Sequence, residues 1–471
     1  MPIKRYIADR DCSITDAFRS NLLNSGTLSN DGASDTLQVF TLWNQNGLET
    51  ASFLNRQSRI LLRFPIDQVV TDINAGLIPA SAEYYLKLTN APHAETLPRD
   101  FTLVSTLLSS SFSEGTGQDQ YDFTDLDAAN WISSSSDVLW TNPGGDLLSS
   151  TYSVATYFKN GTEDLYSDVS TMARALISGT VSNNGMAVLF SSSHQIESQS
   201  YYNKKFFGRT SEHFYHRPCL EARWSELIED DRINSFTSAS IATAEDNLNT
   251  LFFYNYIKGT LKNIPSIGTG SVYVSIYTGS TGQAPAVATF TGGFYRTGIY
   301  TCSFYTNLTG TIYDFWFSGS ETYYNSSIDM KDFNDDSYDI DEEFLVNIKN
   351  LKLVYDSIEK PRLKLSVTRR NWRPNYYLVY QERQVNEVIK DLYYKIDRVV
   401  DKYNVIPYGT GSVKFTKLSY NGDGNFFDLD MSLFEPNFGY QIKFLNIIET
   451  QKKELPGSFK FKIESTDDTD P

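Results

Sequence analysis

Apolar and polar residues change places with a period of two along much of this chain, and that period constrains its fold more than any other feature. On an extended strand each side chain points away from its neighbour's face, so alternation describes a strand with one buried side. The stretch from Phe206 to Trp224, FFGRTSEHFYHRPCLEARW, reads as strand, polar loop, proline-fixed turn and closing strand. Leu220, Ala222 and Trp224 alternate with Glu221 and Arg223, so a half-buried strand is predicted there. Pro218 fits the strand entrance, where a missing N–H is tolerated. The chain holds 31 Tyr and 30 Phe against 5 Met, with frequent Gly, Ser, Thr and Asn between apolar runs, which favours strands over helices.

Strand candidates recur through the first segment, at Leu37 to Leu42, Ser58 to Phe64, Ala82 to Leu88, Phe101 to Leu107 and Met186 to Phe190. Turns such as NDGASD, IPAS and NAPH separate them, a spacing that suggests a sandwich or jelly roll. One helix is predicted over Asp168 to Ser178, with Asp168 or Ser170 as cap, Met172, Leu176 and Ile177 as its apolar face, and Gly179 as its end.

Several of these pieces stand in an order that resembles the DNRLRE family of β-sandwich modules. Arg59, Leu61, Arg63 and Phe64 match an early Arg-x-hydrophobic-x-Arg-Phe strand. SFSEGTG and WTNPGGD around Trp140 match a Trp-bearing segment. Asp168 to Ser170 with Asn184–Gly185 match a helix and turn, and Arg217 to Glu221 match an Arg-Pro-x-Leu-Glu ending. The chain departs from the pattern where Ser111 or Phe112 replaces the first Trp, and in a long insert from Gly117 to Val138. Overall phrasing, including YIADRDCSITDAF, YFKNGTEDL, DNLNTLFFYNYIKGTLKNIP and SLFEPNFGYQIKF, is similar to structural proteins of large tailed phages, marine cyanophages among them. The resemblance implies a virion structural protein made in the host cytoplasm, a peripheral tail, neck or fibre component. Its implied partners are other virion proteins and further copies of itself.

At 471 residues the length suits roughly three domains. The expected architecture is mainly β: a DNRLRE-like jelly-roll sandwich over 1–226, a linker over 227–245, and immunoglobulin-like sandwiches over 246–358 and 361–471. The linker reading rests on SELIEDDRINSFTSASIATAE, charged and then small and polar. GTGSV occurs at 268–272 and again at 409–413, each read as opening an alternating strand and hinting at duplication. Between Val385 and Tyr403 a helical seam competes with alternation at Leu392, Tyr394 and Ile396; strands are favoured from about Asp391 onward.

The net charge of −16 argues against wrapping nucleic acid or adhering to anionic membranes, both of which need clustered Lys and Arg. No apolar run approaches the roughly 18 residues of a membrane span, and no signal-peptide pattern is evident at the start. Cys12, Cys219 and Cys302 are few and far apart, so buried thiols are expected rather than a disulfide framework.

No catalytic residues, metal site or cofactor are expected. His213 and His216 with Cys219 lack a fourth ligand for zinc. In DFNDDSYDIDEE, Asp332, Asn334, Asp336 and Glu343 fall at calcium-loop positions, yet Ser337 replaces the turn glycine; an acidic solvated loop is the plainer reading. YNGDGNFF, with Asn421, Asp423 and Asn425, reads first as a hairpin turn. GTGSVKF lacks the spacing and ending of a P-loop, and no G-x-S-x-G elbow is present. An aromatic-rich sandwich can also bind sugars by stacking, so a glycan-binding adhesin contacting a host surface is the alternative.

Overall fold

The computed structural model describes residues 2–45, 55–92, 99–148, 150–198, 201–282, 285–332, 343–370, 386–448 and 451–465. It is mainly β, in sandwiches, as the alternation predicts. The chain divides into two compact units, Pro2–Ser225 and Glu226–Pro471.

In the first unit, Ile3–Ile7, Cys219–Arg223, Glu83–Leu88 and Leu165–Asp168 make a four-stranded antiparallel sheet in that order. The facing sheet runs Ser153–Phe158, Phe101–Leu107, Met186–Phe190, Asn55–Arg63, Thr36–Trp43, Tyr201–Phe207, with Arg10–Thr15 also paired to Asn55–Arg63. Inward side chains of both sheets, among them Tyr84, Leu86, Leu220, Ile60, Leu62 and Val188, share one core that includes Phe64 and Trp224.

The larger sheet is buried on its other face too. Leu61, Ala187 and Leu189, the out-of-phase neighbours of Ile60, Leu62 and Val188, pack with Phe112, Ala129, Trp131 and Trp140. That second layer explains why MAVLF is apolar at every position. It is built largely from the 108–147 region, so the long insert covers a sheet face. Arg59 ties it down, donating from Nη1 to the Gly144 carbonyl at 2.8 Å while its guanidinium lies 5.0 Å from the Trp131 ring. Gly144, at φ +90°, is needed there, because a Cβ would meet Trp131 and Arg59 at about 3 Å.

Cys219–Arg223 departs from the half-buried expectation: Glu221 is 1% exposed and Arg223 5%. The strand lies between two neighbours, and its outward side is roofed by long side chains. Arg5 Nε and Arg223 Nε each donate to Glu221 at 2.7 Å, and the Arg223 guanidinium lies 4.8 Å from the stacked rings of Tyr85 and Tyr166. Burial pushes Arg223 down to about 9.

The predicted helix runs Ser170–Ile177, with Asp168 Oδ1 accepting from the Ser170 N–H at 2.9 Å and Gly179 at φ +73° after it. A second helix, Ile66–Asn74, was not expected. Its Val69, Val70, Thr71 and Ile73 are β-branched and argue for strand. Pro65 at its entrance and apolar residues at 66, 69, 70 and 73 nevertheless fit one helical face.

The second unit holds two sandwiches. Residues 249–330 form one run of six antiparallel strands: Asn249–Tyr254, Ile299–Phe304, Ala288–Arg296, Val272–Tyr277, Gly310–Ser318, Glu321–Met330. Its core gathers Leu251, Val274, Tyr300, Ile312, Trp316 and Ile328. Next, Phe344–Ile348, Arg362–Arg369, Gly424–Asp428 and Ser419–Asn421 form a sheet. It faces another of Val354–Asp356, Phe459–Glu464, Gly439–Ile448, Leu392–Arg398 and Asn404–Ile406, with Gln451–Glu454 paired to Gly439–Ile448. Tyr394 stacks on Phe427 across the two, 4.4 Å between centroids.

Three sequence expectations need correction here. Phe344–Ile348 and Val354–Asp356 pair with strands beyond 360, so the last sandwich starts before the expected boundary at 358–361. The second GTGSV, at 409–413, opens no strand, although the first leads into Val272–Tyr277. The supposed linker over 227–245 begins as part of the core: Ile228, Asp230, Asp231 and Ser235 are all buried. Its charged residues looked solvated in sequence because several of their partners, Asp314 and Tyr420 among them, lie 82 and 189 positions away.

Candidate functional site

A dense polar constellation in the second unit is built on residues 226–237, a strap running between its two sandwiches. Its backbone pairs with the last sandwich: Tyr420 N–H donates to Ile228 O at 2.8 Å, and Asp230 N–H donates to Tyr420 O at 3.1 Å. Farther along, Lys331 N–H donates to Ser235 O and Thr237 N–H to Lys331 O, both at 2.9 Å, fixing it to the preceding sandwich. Ile228 packs with Phe252, Ile299 and Phe426, one apolar contact shared by strap and both sandwiches.

Charge is handled beside that contact. Arg232 Nη1 donates to Asp314 Oδ2 at 2.8 Å, and Trp316 Nε1 donates to the same oxygen at 2.7 Å. Asp231 accepts from the Tyr420 hydroxyl and the Thr250 N–H, both at 2.9 Å. Lys417 bridges Glu229 at 2.7 Å and Asp391 at 3.0 Å. Burial pushes the Asp230 carboxyl up to about 6, against the pull of Arg232. Burial works to lower Arg232, but Asp314 and Asp230 outweigh it and hold it above its usual range. Lys417 is likewise pushed down by burial and held up on balance by Glu229 and Asp391. Burial, then Asp231, raises the Tyr420 phenol far above its ordinary value. Of these groups Glu229, Asp231, Asp391, Lys417 and Tyr420 line a hollow of about 320 Å³. What they do chemically is bind one another, fixing two sandwiches and a strap in one arrangement.

Sequence reading missed this cluster, though one signal was present. In TIYDFWF, Asp314 falls on the same side of the strand as the core residues Ile312 and Trp316. A carboxylate on an inward face calls for a buried cation, and EDDR at 229–232 supplies it.

Asn334 and Asp336 lie outside the described residues; Asp332 is exposed, and Glu343 pairs with Arg370 at 2.8 Å. His93 also lies outside them. His213 and His216 sit beside Phe207 with their rings 5.6 Å apart, in a turn that includes the short helix Phe214–His216. Cys219 is buried in the following strand, where burial raises its thiol to about 11. Cys12 and Cys302 are buried free thiols as well. His194 Nδ1 lies 2.7 Å from Ser191 Oγ across one turn, its ring packed on Tyr202 and Phe190. Among the described residues no group of His, Cys, Asp and Glu is placed to hold a metal ion. YNGDGNFF is a hairpin turn between Ser419–Asn421 and Gly424–Asp428.

Compared with known protein families the chain matches none, and no curated protein matches it. Among solved structures it is similar to the tandem Ig repeats of Dlar, at 9% identity over 42% of this chain and 91% of that one, TM-score 0.14. It is similar to the Yersinia pseudotuberculosis adhesin InvE at 9% identity over 45% of this chain and 54% of that one, TM-score 0.15. The BSP domain of a biofilm associated protein aligns over 96% of this chain and 70% of that one, at 8% identity and TM-score 0.17. At such TM-scores the likeness carries no argument about function.

Proposed function

We propose that the chain is a structural component of a tailed-phage particle, a peripheral tail, neck or fibre protein that acts by holding position among other virion proteins and copies of itself. The strap is the observation that carries this reading. Asp230, Asp231, Arg232, Asp314 and Lys417 bind one another and their neighbours across the strap and the two sandwiches. Breaking a buried ion pair is costly because it strands the surviving charge, so such a joint resists opening. A body stiffened in this way suits a part that must keep its shape in an assembly. The resemblance of the chain's phrasing to tailed-phage structural proteins is what suggests that setting.

An antibody raised against the full chain tests the proposal on purified, intact particles by immunogold microscopy. Labelling confined to one location on the particle is the expected result. Unlabelled particles, with the protein recovered only from the soluble lysate, would overturn it.

A further inference from the structure

Beside the joint, and independent of the virion assignment, a second hollow of about 220 Å³ is lined by Tyr254, Tyr256, Arg362, Lys364 and the hairpin from Asn421 to Phe426. An adjoining hollow of about 380 Å³, lined by Lys360, Arg362, Asp428, Leu429 and Asp430, shares Arg362 with it. Both lie within the second unit.

The charges of the pair cancel. Arg362 is held by Asp428 through two hydrogen bonds, 2.7 and 3.0 Å, and its guanidinium lies 4.6 Å from the Phe426 ring centroid. Lys364 Nζ lies 3.4 Å from the Asp423 carboxylate, and Lys360 Nζ 2.7 Å from that of Asp430. Three cations face three carboxylates, so neither an anionic nor a cationic ligand gains net attraction. An apolar ligand would strip water from charged groups without replacing their hydrogen bonds. The remaining class has an apolar face and a rim of neutral hydroxyls.

Tyr256 supplies the partner for such a face: it is 58% exposed. Exposed aromatic rings with a polar tip suit contacts that are apolar on one side and wet on the other. Tyr254 forms part of the wall, with its hydroxyl buried away from solvent.

The rim is built in advance. Asn386 Nδ2 donates to Asp423 O at 2.7 Å, and Asp423 N–H donates to Asn421 Oδ1 at 2.9 Å. The Asn425 amide exchanges bonds with the Ile389 backbone at 3.0 and 2.8 Å. Gly424, at φ +119°, leaves the space that Asn386 occupies. A loop ordered before binding loses little entropy on binding. The smaller hollow falls below the ~300 Å³ at which sites for drug-sized ligands begin, a size for one sugar ring, and its neighbour continues the path past Arg362.

We infer that these two hollows form a binding site for a neutral oligosaccharide, one ring stacked on Tyr256 with its hydroxyls on Asp423 and Lys364, and the next ring beyond Arg362 near Asp430. Titration calorimetry of the full chain with neutral di- to tetrasaccharides built from glucose, galactose or mannose tests it. Saturable binding to at least one is expected, weakened about tenfold or more by Tyr256→Ala and by Asp423→Ala, a loss of about 1.4 kcal/mol. Both side chains are exposed, so melting temperatures should not move. No saturable binding across the panel, binding that both variants leave intact, or a preference for sulfated or sialylated sugars would overturn the inference. Particle labelling by the antibody is unaffected by Tyr256→Ala, so failure here is distinct from failure of the virion assignment.

Discussion

Asp230 is a side chain whose surroundings oppose its charge. It lies 3.5 Å from Arg232, yet burial dominates and raises its carboxyl from 3.8 to about 6. The sign follows from linkage. A group whose folded value lies above its unfolded one adds stability that is fully present below about pH 4 and lost as pH rises through about 6. Asp230→Asn mimics the protonated acid. It should therefore gain on the parent protein by up to about 2–3 kcal/mol between pH 4 and pH 7, measured as the difference in denaturant unfolding of the two proteins. Other carboxylates titrate alike in both, so a difference that stays constant with pH would show that Asp230 is not buried as described. At this scale the sequence was only partly legible. Leu220, Ala222 and Trp224 revealed their burial through alternation, and Trp224 is in the core. Glu221 and Arg223 did not, because a charged residue reads as solvated unless its partner is known, and Arg5 lies 216 positions away.

Strands were the most legible elements, since a period of two survives in sequence wherever one face is buried; helix Ile66–Asn74 was hidden by its β-branched residues. Strand Ala288–Arg296 carries a subtler feature. Its first part pairs with Val272–Tyr277 and its last part with Ile299–Phe304, so it passes from one sheet to the other near Gly292 and Gly293. The two glycines differ. A Cβ on Gly292 would stand 2.5 Å from the Thr301 carbonyl oxygen and 2.8 Å from the Cys302 Cβ, whereas one on Gly293 would meet nothing within 4 Å. Backbone cannot yield there as a flexible side chain could. Gly292→Ala should cost about 1–3 kcal/mol by overpacking, with Gly293→Ala changing stability by less than about 0.5 kcal/mol. Thermal melts of both variants check this, and equal effects would remove the close approach as the reason for glycine at 292.

For the molecule as a whole, composition and alternation made the sandwich class readable, but not how the segments after 226 share strands. A linker and a strap look alike in sequence when both are short, polar and charged; what separates them is the set of distant partners, Asp314, Lys331, Lys417 and Tyr420, that folding brings to residues 226–237. Likewise Asn421, Asp423 and Asn425 were readable as a turn, while the hollow that this turn rims depends on Tyr254, Tyr256 and Arg362 from other strands. The role proposed for this body is assembly. Quantitative mass spectrometry of gradient-purified particles, washed in high salt to strip loosely bound protein, tests it most directly. The prediction is that the chain remains at a constant ratio to the major capsid protein through successive washes. Its loss from the particles at the first wash, or its absence from them at the outset, would contradict the claim.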